Sequence, residues 1–114
     1  MNESEKLDRG PQEHLVWVKG PVLPHIESGT KVLEVRLKTS RFASVRVGDT
    51  IRFNQKIVRK VSAIREYSDF ESLLKSEDEN KILPGHTKLE LYGLWQNIWP
   101  EVRKSVLVFQ LGEL

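Results

Sequence analysis

Apolar residues along the 114-residue chain fall into short runs, some repeating every second position and some every three to four. "HLVWVKG" (14–20) predicts a short strand. "PVLPHIESG" (21–29) predicts a short helix, with Pro21 and Pro24 in first-turn positions and Gly29 where a helix ends. In "VLEVRL" (32–37) the period of two sends Leu33, Val35 and Leu37 to one face and Glu34 and Arg36 to the other. "VRVGDTIRFN" (45–54) repeats the pattern, with a turn at Gly48-Asp49 and with Ile51 and Phe53 opposed to Arg52. "KIVRKVSAIREY" (56–67) is long for a strand, and its apolar residues change parity between Val58 and Val61, the mark of a bulge where a sheet curls.

Helical spacing returns in the second half. Ser68 and Glu71 fit a capping box ahead of Phe70, Leu73 and Leu74, and Thr87 and Glu90 fit a second. The latter opens the strongest helix: Leu91, Leu94, Trp95 and Ile98 share one face, and Pro100 stops it near Trp99. "SEDENKILPGHT" (76–87) between them reads as a polar loop with a Pro-Gly turn, and "SVLVFQL" (105–111) as a last strand pairing back with the first. Trp17, Trp95 and Trp99 are expected in the core, partial exposure being the alternative for Trp99 at the helix end. The whole predicts an α+β, mainly β domain: a small open or closed β-barrel with peripheral helices, a two-layer sandwich being the alternative.

Length and the 39% hydrophobic content fit one domain. Residues 1–11 are polar, lack an apolar period and end in Gly10-Pro11, so they are expected to form a flexible N-terminal arm, with the domain at 12–114. No run approaches the roughly 20 apolar residues of a membrane span and the start has no signal-peptide pattern, so a soluble, cytoplasmic protein without membrane contact is expected, as a monomer or weak homodimer. With no cysteine, disulfides, thiolate metal sites and a cysteine nucleophile are excluded. The net charge of +2 is uneven: residues 31–60 hold nine Lys/Arg against Glu34 and Asp49, a balance of +7, while residues 66–79 hold six acids against Lys75, a balance of −5. That polarity suits a phosphate-bearing partner at the basic part, although charge on alternate strand positions is also how a sheet faces water.

The helix ending at Gly29 delivers Lys31 to the mouth of the strand carrying Glu34 and Arg36. Such a trio suits an anion or a polar base edge: a bidentate fork, a point charge and an acceptor. Phe42, flanked by Arg41 and Arg46, is the candidate for stacking on a base, weighed against a place under its loop as core. His14, His25 and His86 are too scattered to pair as metal ligands, so neither a metal nor a cofactor is expected; His25 lies one turn before Gly29 and is within reach of the same mouth. No Gly-rich phosphate loop and no nucleophile elbow is present.

Gly29-Thr30-Lys31-Val32-Leu33-Glu34-Val35-Arg36, read as G-x-K-x-x-E-x-R, resembles the signature of the ASCH domain, a branch of the PUA-like superfamily. Val47-Gly48-Asp49-Thr50-Ile51-Arg52-Phe53-Asn54, "AIREYSDFESLL", "KILPG", "IWP" and "VLVFQL" follow in that family's order, covering roughly residues 14–111. The resemblance implies a PUA-like β-barrel with a cleft beside the signature strand, a role in RNA biology, and Lys31, Glu34 and Arg36 as cleft residues with Gly29 shaping the turn. One branch hydrolyses the acetyl amide of N4-acetylcytidine with a lysine and a threonine of this strand and a distal glutamate. Here Glu34 stands in the threonine's place and residues 84–86 offer no acid. Nuclease activity has also been attributed to an ASCH protein, but no residue set here fits it. Three readings result. One is an RNA- or nucleotide-binding module using Gly29, Lys31, Glu34, Arg36, Arg41 and Phe42. The second is a hydrolase of a modified nucleoside or of RNA with Lys31 and Glu34 as acid/base pair. The third is a protein-interaction domain using segment 66–79 and the Trp95/Trp99 helix.

Overall fold

A computed structural model describes residues 9–100 and 104–114. Five strands form one curled, half-barrel sheet: β1 (Glu13–Val16), β2 (Leu33–Leu37), β3 (Thr50–Phe53), β4 (Ile57–Tyr67) and β5 (Val106–Gly112), in the order β1-β3-β4-β5-β2. β1 and β3 are parallel; the other pairs are antiparallel. The expected pairing of the last strand with the first is therefore corrected. β5 lies between β4 and β2, which leaves β1 and β2 as the two edges of an unclosed sheet.

A register shift in β4 between Val61 and Ala63 supplies the expected bulge, slightly further along than the parity change marked it. The turn before β4 is tight, with Asn54 and Gln55 both at positive φ (51° and 61°). Asn54 earns that position twice, because its side-chain amide exchanges two bonds of 2.8 Å with the backbone of Val18 and ties β3 to the chain leaving β1.

The sheet buries both faces. Ile26, Val45, Ile51, Phe53, Val61 and Phe109 fill the concave side, under the short helix α1 (Leu23–Ser28) and the single turn α2 (Ser40–Ala43). The other side is covered by α3 (Phe70–Ser76), α4 (Glu79–Ile82) and α5 (Lys88–Ile98), which pack Leu73, Ile82 and Leu91 against Leu33, Val35, Val106 and Val108. β5 serves both cores, hence its nearly unbroken apolar run.

Helix ends follow local chemistry. Gly29 closes α1 in the left-handed region at φ 79°. Thr87 and Glu90 form the expected capping box of α5. At α3 the cap is Asp69, whose carboxylate accepts from the Ser72 amide at 2.7 Å, in place of the Ser68 box expected from spacing. The segment expected as loop contains α4, capped by Asp78.

The arm expected at residues 1–11 lies outside the described residues up to position 8. Arg9 is held, donating to both carboxylate oxygens of Asp49 at 3.3 and 3.0 Å. Asp49 is fully buried and also accepts from the Gln12 and Arg46 amides and pairs with His14 at 2.8 Å. Burial alone would raise its pKa. The bonds from Arg9, His14 and the two amides outweigh that and hold it well below the usual carboxylate range.

Candidate nucleic-acid cleft

The charged face of β2 does not face water. Glu34 sits opposite Phe109 and Arg36 opposite Leu107 on β5, and residues opposite in an antiparallel pair share a face, so both point to the concave side. Glu34 is 5% exposed.

Lys31 reaches the same place from just outside the strand. Its backbone is fixed by its amide, which donates a hydrogen bond to the His25 carbonyl at 2.9 Å, and the Val32 amide donates to the Lys81 carbonyl of α4. Its buried ammonium donates to the Leu33 carbonyl (2.5 Å), to the Ile82 carbonyl at the end of α4 (2.8 Å) and to Glu34 Oε1 (3.0 Å). An ammonium has three N–H donors, and here each has a partner. The other Glu34 oxygen accepts from Arg36 Nε at 2.7 Å. Burial pushes the Glu34 carboxyl up, but the charges of Lys31 and Arg36 and their bonds prevail, so its pKa is lowered and it stays ionised.

Arg36 then crosses the open seam of the sheet, donating from Nη2 to the Trp17 carbonyl at 2.9 Å. Arg41 does the same from α2, donating to the Leu15 carbonyl. Along β1 the carbonyls of Gln12 and Val16 serve the β3 side, accepting from Thr50 and Asn54. Those of Leu15 and Trp17 point the opposite way, to the seam, and two arginines take the role that backbone pairing with the other edge strand, β2, would have had.

Above this floor lies a cleft of about 270 Å³. Lys31, Glu34 and Arg36 line its base; Trp17 and Lys19 line it from the segment after β1, Leu94, Trp95 and Ile98 from α5, and Trp99 from that helix's C-cap. The face of α5 expected as one core stripe is divided: Leu91 and Trp95 are buried, while Leu94 and Ile98 are 41% and 55% exposed. Trp17, expected in the core, is 63% exposed at the mouth, a correction with a physical cause: the period of two turns His14, Val16 and Val18 toward the protein and sends Glu13, Leu15 and Trp17 outward.

The remaining candidates lie apart. Gly29 forms the turn before Lys31 and does not line the cleft. Phe42 is partly buried against Phe109 (6.2 Å between centroids), and its ring is covered by the guanidiniums of Arg41 (5.0 Å) and Arg36 (5.6 Å). His25 contacts the Thr30 hydroxyl (3.3 Å), His14 contacts Asp49, and His86 the Pro84 carbonyl (3.2 Å). In the acidic segment, Glu77 is buried, bound by Arg65 (2.6 and 2.9 Å) and by the Tyr67 hydroxyl (2.5 Å), an ion pair nothing in the spacing marked.

The family model of the ASCH domain matches residues 17–105, most of the chain. The chain belongs to the ASCH family. The residues just described at the cleft floor, Lys31, Glu34 and Arg36, lie within the matched span. Among solved structures, this ASCH domain is similar to hypothetical protein PH0355 (25% identity, 90% of this chain and 99% of that one, TM-score 0.82). It is also similar to protein PF0455 from Pyrococcus furiosus (25% identity, 90% and 97%, TM-score 0.75). ASCH from Zymomonas mobilis shares the fold alone, at 13% identity over 89% of this chain and 67% of that one, with a TM-score of 0.63. No curated protein matches the chain.

Proposed function

We propose that this ASCH domain is an RNA-binding module whose cleft receives a nucleotide. The observation that carries the reading is the combination at one opening: a floor of two cations and one carboxylate, leaving one net positive charge, beneath walls of exposed apolar and aromatic side chains. A nucleotide matches it in both respects, as a flat ring for the walls and an anion for the charge. The volume of about 270 Å³ lies just under the range of about 300 Å³ upward typical of drug-sized ligands, which suits one nucleoside-sized group and not a helix or a duplex.

Binding is favoured over hydrolysis by how the floor is bonded. Every donor of Lys31 is engaged and both oxygens of Glu34 are held by cations, so neither group is poised to exchange a proton with a substrate.

The test is anisotropy of labelled single-stranded RNA over a salt series, with wild type and Ile98→Glu, which puts a carboxylate on an exposed part of the wall. Binding that weakens steeply with salt and is lost in the variant is expected. RNA binding that is equal at low and high salt, or unchanged in Ile98→Glu, would overturn the proposal.

A further inference from the structure

All three tryptophans of the chain line this one cleft. Two belong to a wall: Trp95 and Trp99 both stack on Phe70, at 4.8 and 5.7 Å between centroids and interplanar angles of 30° and 21°, so the wall is anchored in the outer core. The third comes from a distant part of the chain. Trp17 has its carbonyl fixed by Arg36 and its neighbour Val18 fixed by Asn54, yet its indole stays largely in solvent. A single exposed apolar side chain needs no explanation. Here Trp17, Leu94 and Ile98 are exposed at the same opening, with a partly exposed Arg36 and with Lys19, which forms no ion pair among the described residues.

An exposed indole on a hydrogen-bonded stretch of backbone, beside cations, is a stacking surface for a base, because every base offers a π face and carries a phosphate next to it. In a duplex those faces are covered by neighbouring base pairs; in a single strand they are available. Phe42 offers no such surface, since arginines already cover its ring.

Resting on the reading of the cleft as an RNA site, we propose that it takes one unpaired nucleobase, stacked on Trp17 and flanked by Leu94, Ile98 and the half-buried Trp99 of the opposite wall, with Lys19 and Arg36 on the adjoining phosphate. Trp17 is then the residue that selects single-stranded over paired RNA. Its exposure makes it replaceable without disturbing the fold.

The experiment compares wild type, Trp17→Phe, Trp17→Leu and Trp17→Ala for binding to a short single-stranded RNA, with a duplex of the same composition as competitor. Trp17→Ala and Trp17→Leu are expected to weaken binding about 5- to 150-fold, the range for loss of one base–aromatic stack, while Trp17→Phe keeps most of it. The duplex should compete poorly, and the quenching of tryptophan fluorescence by RNA should be smaller in Trp17→Phe than in wild type, by the share that Trp17 contributes. Wild-type affinity in Trp17→Ala would overturn the platform while leaving RNA binding intact, and equal affinity in Trp17→Leu would replace stacking by simple apolar contact. Equal competition by the duplex would remove the selectivity. Absence of any RNA binding by wild type would instead sink the underlying reading.

Discussion

Replacing Lys31 with methionine keeps the length and apolar stem of the side chain and removes only the ammonium. The structure fixes what is then left behind: Glu34, 5% exposed, loses one of its two cations, and the carbonyls of Leu33 and Ile82 lose their donor. Removing one partner of a buried pair costs about 3 to 5 kcal/mol, and an unpaired buried polar group about 1 to 3 kcal/mol. Arg36 still holds the second oxygen of Glu34, which places the total near the lower end, about 3 kcal/mol. At about 2.1 cal/mol/K of unfolding entropy per residue, 114 residues give roughly 0.24 kcal/mol/K, so the melting temperature should fall by about 12 °C.

Urea unfolding followed by circular dichroism, with a calorimetric scan as a check, measures this loss directly. Glu34→Leu should also destabilise, because it leaves the buried Lys31 and the partly exposed Arg36 as neighbouring like charges. The double variant should cost less than the sum of the singles by about 1 kcal/mol or more. A loss in Lys31→Met below about 1 kcal/mol, or strictly additive singles, would refute the view that the floor is a coupled, desolvated pair. The size of the effect also explains why the binding test uses Ile98 on the wall: a Lys31 variant that fails to bind RNA could simply be unfolded.

Two further perturbations test other parts of the same reasoning. Glu34, Asp49 and Glu77 all have pKa values lowered by folding, so each contributes stability that is present above its unfolded value of about 4 and is lost as pH falls through the folded value. Urea midpoints should therefore fall below about pH 4, and Asp49→Asn, at about 3 kcal/mol in cost near neutrality, should flatten that fall; a wild-type midpoint constant from neutral pH into that acid range would contradict the assignment. Gly29→Ala meets no atom within 4 Å but must hold φ 79°, so it should cost about 1 to 2 kcal/mol from backbone strain alone, and wild-type stability in that variant would show that the turn relaxes freely.

The fold was legible where periodicity decides it. The alternation in 32–37, the Thr87 capping box and the parity change in β4 each correspond to a structural feature, because burial of one face and satisfaction of helix-end amides act locally. Strand order was not legible: that β5 sits between β4 and β2 is a long-range fact with no local mark beyond its apolar run. The cleft was half legible. The signature named Lys31, Glu34 and Arg36, which the structure brings together, but alternation placed Glu34 and Arg36 opposite the core, whereas the curl of the sheet gives that face a second core of its own. Trp17, Leu94 and Ile98 looked like core residues because apolar spacing is the same whether a side chain is buried by the protein or left for a ligand.

The unclosed sheet connects these results. Had β2 hydrogen-bonded to β1, the barrel would be sealed and the carbonyls of Leu15 and Trp17 would belong to a ladder. Instead the seam is held by side chains: Arg41 on Leu15, Arg36 on Trp17, and Arg36 in turn oriented by a glutamate that Lys31 neutralises. Side chains span a wider gap than a backbone ladder, and the width they leave between the segment after β1 and α5 is the cleft. On this argument the signature residues are committed first to holding the seam open at a fixed width, and discrimination among ligands falls to the residues along its rim. Substitutions of Lys31 or Glu34 should then be read mainly in stability, and substitutions of Trp17 or Ile98 mainly in affinity, a division that urea unfolding and RNA titration of the same four variants would expose.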